Sequence, residues 1–363
     1  MTQSADTDPA QCRADIHKVL VERFDWFKAR YDIVNYLDFG PGSKRVYLGD
    51  EANRVCRYCS LAEPQVEFKN LAHAVPDQIG NDWLFDYEEC DACNLHFSKW
   101  VEDDFGKWTH PWRTLGRIKG KYGVPSIKSS DKKFRIDASV KSSEEVAGAS
   151  GARHDLTIQM GVNDVHHELD EATKTVKFTL DRPSYVPMGV FKCLVKMAIA
   201  VMPAEEAQRC ARLKKWILLP AHTFESYEYR PLRVFHQFVP GPLPNDRVTC
   251  WLLRRKPERA ADCLYMQFVL QLGNHVFQIA LPMHVEDRKH IEAGIFTTSL
   301  WPNTLAGVAH QLRYGRSDAK DYDMSGTELV RRETMFMTFG YDQLIDLPDT
   351  VTESAADPEH NSG

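Results

Sequence analysis

Two Cys-x-x-Cys pairs, Cys56/Cys59 and Cys90/Cys93, flank the thirty residues 60–89. Each pair can present two thiolates to one ion, and four thiolates close a tetrahedral structural zinc site. The other five of the nine cysteines are scattered, so paired motifs in a reducing compartment point to metal rather than disulfides. Redox use of either pair is the weaker alternative, because no βαβ pattern surrounds them. Between the pairs, "FKNLAHAVPDQIGN" holds one histidine, His73, ahead of a proline-led loop and a Gly-Asn turn. A histidine near a strand end can present a ring nitrogen as a base. After the second pair, "CNLHFSKWVEDDFGKW" reads as a helix with Asn94, Ser98 and Glu102 on one face. An amide oxygen and a carboxylate there suit a hard divalent ion, Mg²⁺ or Mn²⁺. The plainer readings are a His73 that packs on the zinc motif, an Asn94 that caps the helix and a solvated Glu102.

The order carries more than its parts. Cys-x-x-Cys, Ala-His-x-x-Pro, Gly-Asn, Cys-x-x-Cys-Asn and an acid eight residues on resembles the HNH endonuclease family, in its zinc-stapled branch. The resemblance covers about residues 54–108, and "WRTLGRIKGKYGVPS" is similar to an extension in some bacterial members. It implies a ββα-metal motif in which two short strands carry the histidine and a helix carries metal ligands. His73 then matches the general base, Asn94 a metal-contacting position, and Glu102 an acidic position on the same helix. Asn81 matches the middle asparagine, with Asp86 as a competing assignment. Ala72 departs from the pattern, since many members carry an Asp or His ligand before the base.

The elements that must hold these residues are legible in outline. Residues 12–37 have apolar residues at helical spacing, which predicts one helix or a broken pair. "DFGPGSK" punctuates the chain without the spacing of a P-loop, and "RVYLG" reads as a short strand. The small, polar residues 141–154 read as a linker or long loop. Strand-like runs "DLTIQMG" and "TVKFTL" follow, then a helical pair, then the β-rich runs "LRVFHQFV", "VTCWLLRR", "CLYMQFVLQL" and "HVFQIALPM". The fold class expected is α+β. An N-terminal helical segment (1–50) and a zinc-stapled HNH ββα-metal unit with a basic extension (51–140) precede an α+β domain with an antiparallel sheet (155–345). A disordered tail (346–363) ends the chain.

The net charge is −6, yet residues 113–135 hold eight basic residues against Asp131 alone, a local charge of +7. Such a strip suits a polyanion, and Arg113, Arg117, Lys119 and Lys121 are the expected phosphate contacts. No basic and apolar leader opens the chain, and the longest apolar run is broken by Lys192 and Lys196. A cytoplasmic protein with no membrane partner is therefore expected, with homo-oligomers left open. The leading expectation is a metal-dependent endonuclease acting on double-stranded DNA, in a bacterial defence or mobile-element setting by analogy of architecture. Its cofactors would be structural zinc and catalytic Mg²⁺ or Mn²⁺. The competing expectations are a zinc-stabilised nucleic-acid-binding module without catalysis, and a nuclease gated by a ligand on the second domain.

Overall fold

The long N-terminal helix α1 (Pro9–Arg30) runs without a break into strand β1 (Tyr31–Phe39). The helix expected over 12–37 therefore stops seven residues early. Residues 31–39, "YDIVNYLDF", are rich in aromatic and β-branched side chains, and their apolar spacing suits a strand as well as a helix. What decides it is a partner, because β1 pairs antiparallel with residues 248–255 far along the chain. This computed structural model describes residues 9–129, 134–141, 153–159, 165–225, 229–259, 262–281, 283–293, 298–303, 305–341 and 344. The expected tail at 346–363 lies outside the described residues.

Next come three short strands, β2 (Val46–Leu48), β3 (Ala72–His73) and β4 (Leu84–Asp86), in the order β2-β4-β3. Helix α2 (Asp91–Phe97) follows, then a π-helical turn (Ser98–Glu102) and helix α3 (Asp103–Leu115). Two small antiparallel sheets come next. One joins β5 (Ile127–Lys128), β6 (Arg135–Lys141) and β7 (Arg153–Gln159). The other joins β8 (His167–Asp170) and β9 (Thr175–Arg182) to β15 (Glu333–Gly340) at the far end of the described chain. Helix α4 (Pro187–Ala200) is buried along its whole length and is followed by the short helices α5 (Ala204–Arg209) and α6 (Ala211–Ile217).

The four expected β-rich runs form β10 (Arg233–Phe238), β11 (Val248–Arg255), β12 (Met266–Leu272) and β13 (His275–Leu281). With β1 and β14 (Asp318–Asp323) they make a six-stranded antiparallel sheet, ordered β1-β11-β12-β13-β10-β14. Helices α7 (His284–Ala293) and α8 (Val308–Tyr314) lie between β13 and β14 in sequence. The sheet is apolar on both faces, which is why its strands read as near-continuous hydrophobic runs. Trp251, Leu253, Val269 and Val276 join Phe27 of α1 in one cluster. The alternate residues Cys250, Leu252, Phe268, Leu270 and Phe277 join Phe105, Trp108 and Trp112 of α3 and the body of α4 in another. This is the period-two division expected of strands buried from both sides.

The expected boundary near 141–154 does not divide the core. Residues 142–152 lie outside the described residues, and the strands on either side, β6 and β7, pair with each other. The larger cluster also draws together Cys56, Phe97 and Val101 from one side of that boundary and Phe191, Leu194 and Phe277 from the other. Trp112 stacks on His236 at 4.2 Å. A protease site introduced within 142–152 and cut should therefore leave two fragments that co-elute on size exclusion in native buffer. Separation of folded halves would contradict a shared core. Among the described residues, no helix is long and apolar enough to cross a membrane.

Candidate functional site

The four paired cysteines converge. Cys56 Sγ lies 3.7 Å from Cys93 Sγ, and Cys59 Sγ lies 3.8 Å from Cys90 Sγ. All four sulfurs lie within 4.8 Å of one another, close enough to hold one metal ion. A zinc–sulfur bond of about 2.3 Å gives a tetrahedron with an edge of about 3.8 Å, so the spacing fits zinc. It is far too long for disulfides, whose sulfurs sit about 2.0 Å apart. Cys56, Cys90 and Cys93 are buried, as a closed site requires. Cys90 also precedes α2, so an ion held by the four sulfurs would fix where that helix starts. Asp91 secures the opposite loop by accepting backbone N–H bonds from Lys69 and Asn70 at 3.1 and 3.0 Å.

The first knuckle is also tied to α4. The Arg57 guanidinium donates to the Met202 carbonyl at 2.7 Å and to Glu88 at 2.9 Å, and the Tyr58 hydroxyl donates to the Lys196 carbonyl at 3.1 Å. Asp86 sits 3.8 Å from the Arg57 guanidinium and is buried, which pushes its pKa up to about 6.

His73 lies on β3 opposite Phe85 of β4, with its ring centroid 4.7 Å from that phenyl. The imidazole is half-buried and makes no hydrogen bond among the described residues. Burial pulls its pKa below the ordinary histidine value. The carboxylates of Asp77, Glu102 and Asp82 pull it back up, and the Lys196 ammonium opposes them. It is therefore neutral at neutral pH, the state in which an imidazole can accept a proton.

Asn81 holds the loop between β3 and β4. Its Nδ2 donates to the carbonyls of Val75 (2.6 Å) and Leu84 (2.9 Å), and its Oδ1 accepts from the N–H groups of Trp83 (3.1 Å) and Leu84 (2.9 Å). The residue is fully buried. Expected among the catalytic residues, Asn81 instead shapes the loop, because every polar atom of its amide is already engaged by backbone. Its competitor Asp86 is buried; one carboxylate oxygen accepts the Glu88 N–H at 2.8 Å, and the other lies 3.8 Å from the Arg57 guanidinium without a hydrogen bond.

Asn94 projects from α2, half-buried, with no side-chain hydrogen bond among the described residues. The straight helix expected from 93 to 108 is interrupted by the π turn at Ser98–Glu102. On an ideal α-helix, eight residues make two turns plus roughly 80°. One wide turn takes up part of that excess just before Glu102. Single π turns inside α-helices are frequent at functional sites. Glu102 is nearly buried, and its Oε1 lies 3.1 Å from the ammonium of Lys196, which projects from α4. The same ammonium reaches Glu89 at 3.0 Å and the His73 carbonyl at 2.7 Å. Glu89 is fully buried, and desolvation outweighs Lys196 to push its pKa up to about 8.

Sequence reasoning missed Lys196 and Glu89. The signal present was two lysines, Lys192 and Lys196, four apart on an otherwise apolar helix. A buried lysine on such a face needs acidic or carbonyl partners.

The basic strip is only partly available. Arg113 is buried, donating to the carbonyls of Gln78 (2.6 Å) and Gly106 (2.8 Å), and burial lowers its pKa to about 10. Arg113 therefore braces the His73 loop against α3, which corrects its expected role as a phosphate contact. Arg117 is half-buried, and desolvation lowers its pKa too. Lys119 and Lys121 are exposed, and Tyr122 beside them is 93% exposed. The loop carrying them presses on the His73 loop, for a Cβ at Gly120 would lie 2.8 Å from the Gln78 carbonyl oxygen. The exposed cations thus flank the segment that positions His73.

Compared with known proteins, the chain matches no family model, no curated protein and no solved structure.

Proposed function

We propose that this chain is a metal-dependent endonuclease of the HNH type, hydrolysing phosphodiester bonds in double-stranded DNA. The observation that carries the reading is the half-buried imidazole of His73, without a hydrogen bond among the described residues, on a strand whose carbonyl at His73 meets Glu102 at the Lys196 ammonium. Zinc in the four-cysteine site would be structural, since four thiolates leave no open position for water or substrate. His73 takes the proton from the attacking water. Phe85 and the loop held by Asn81 fix its ring. Asn94 offers an amide oxygen, and Glu102 a carboxylate oxygen beyond the one bonded to Lys196. Two oxygen donors from the chain fit a hard divalent ion that takes its remaining ligands from water and phosphate. Such an ion, when bound, supplies stabilisation of the charge developing on the leaving 3′-oxygen. Lys119 and Lys121 contact the backbone next to the cut without reading sequence.

One observation favours a second reading, a zinc-stabilised binding module without catalysis. Ala72 offers no ligand before the histidine, and Glu102 is already paired. Incubating supercoiled plasmid with purified protein and Mg²⁺ or Mn²⁺, with a chelated control, separates the two. The nuclease nicks or linearises the plasmid, whereas the module only retards its band. Reversing both exposed lysines, Lys119→Glu with Lys121→Glu, should weaken duplex binding and flatten its dependence on salt by about two phosphate contacts. The same reversal at Arg113 should instead unfold the His73 loop. An unchanged salt slope in the lysine variant would mean the strip is solvated surface.

A further inference from the structure

We infer that Lys196, contributed by α4, is the positioning residue of the hydrolytic centre, fixing the His73 strand against Glu102 through one buried ammonium. The inference rests on the nuclease reading above. The ammonium is fully buried and meets three acceptors: the His73 carbonyl at 2.7 Å, Glu89 at 3.0 Å and Glu102 at 3.1 Å. Those acceptors belong to three separate pieces of chain, namely β3, the residue before Cys90, and the π turn. The His73 carbonyl accepts a hydrogen bond from it, and the two carboxylates stand at ion-pair distance. The backbone of Lys196 is held in turn, because Tyr58 of the first knuckle donates to its carbonyl. One residue therefore sets how far the base stands from the acid on the helix, and it couples that distance to the packing of α4. Glu102 keeps its second oxygen for another partner, while Glu89 closes the buried side of the ammonium. The role of α4 in hydrolysis is thus to place groups rather than to touch substrate.

Removing the lysine alone would strand Glu89 in the core, and the chain could fail to fold. The informative variant is the double one, Lys196→Met with Glu89→Gln, which keeps the volume and removes the ammonium together with its buried carboxyl partner. Two measurements apply to the full-length, zinc-loaded protein. The first is the titration of the His73 ring by NMR without added divalent ion. The groups facing that ring are Asp77 and Asp82 on its own loop, Glu102 on the π turn and Lys196 on α4. Loss of the ammonium removes a repulsion from the imidazolium, so the titration should move to higher pH. The second is plasmid cleavage with Mn²⁺, which should fall about a hundredfold in kcat as the base and Glu102 lose their relative placement. Its acid limb should move up in step with the ring. A folded double variant with unchanged His73 titration and unchanged kcat would overturn the inference. If the wild-type protein cuts nothing, the nuclease reading fails, and an unmoved ring titration would still overturn the role given to Lys196.

Discussion

Cys90→Ser should empty the four-cysteine site and take the fold of residues 51–115 with it. A structural zinc contributes ~10–16 kcal/mol of apparent binding free energy, more than the whole net stability of many domains. The chain around the site packs into the core it shares with α4 and the large sheet. Its two knuckles come from separate loops, and the second one sets the start of α2. The damage should also spread, because Arg57 and Tyr58 of the first knuckle bond to Met202 and Lys196 at and beyond α4. Elemental analysis should show about one zinc per wild-type chain and none in Cys90→Ser. The thermal transition should drop as one event rather than leave an intact second half. A zinc-free variant that keeps the wild-type transition would contradict a structural metal.

His73→Ala should abolish cleavage while sparing zinc, folding and DNA affinity. Loss of a general base typically costs about 10²–10⁴-fold in rate. The ring makes no hydrogen bond among the described residues and packs on Phe85, so its removal should disturb the fold little. Asn94→Ala and Glu102→Ala should also slow cleavage, but by weakening the divalent-ion site, so raised Mn²⁺ should recover part of their activity and none in His73→Ala. The pH profile gives an independent check. A base must be unprotonated to act, and burial holds His73 below the ordinary value of 6.5. Wild-type cleavage should therefore stay level through neutrality and fall only on the acid side, with a midpoint below 6.5. A midpoint above that value would show that another group titrates.

The parts of this account legible in the sequence were the local ones. Cysteine spacing announces a shared ion because each knuckle is a short-range motif, and the structure brings those four sulfurs together. Strands β10 to β13 announce themselves as β-branched and aromatic runs between turns. The antiparallel sheet and the mixed α+β class followed from them. What escaped depends on distant partners. Residues 31–39 fit both periods, and only β11 makes them a strand. Arg113 reads as a cation for phosphate until Gln78 and Gly106 claim it. Residues 141–154 look like a link between domains by composition, yet β6 and β7 pair across them. Lys196 looks like an interruption of an apolar helix until Glu89, Glu102 and His73 close around it.

The central claim is that a divalent ion and His73 together cut the DNA backbone. The most direct test is turnover of an end-labelled duplex by zinc-loaded protein, before and after Mn²⁺ is added, with wild type and His73→Ala side by side. The account predicts no cutting before addition, then several cuts per wild-type molecule with 5′-phosphate and 3′-hydroxyl ends, and none above background from the folded variant. Equal cutting by the two proteins, or binding without cutting by wild type in Mg²⁺ and Mn²⁺ alike, would contradict it.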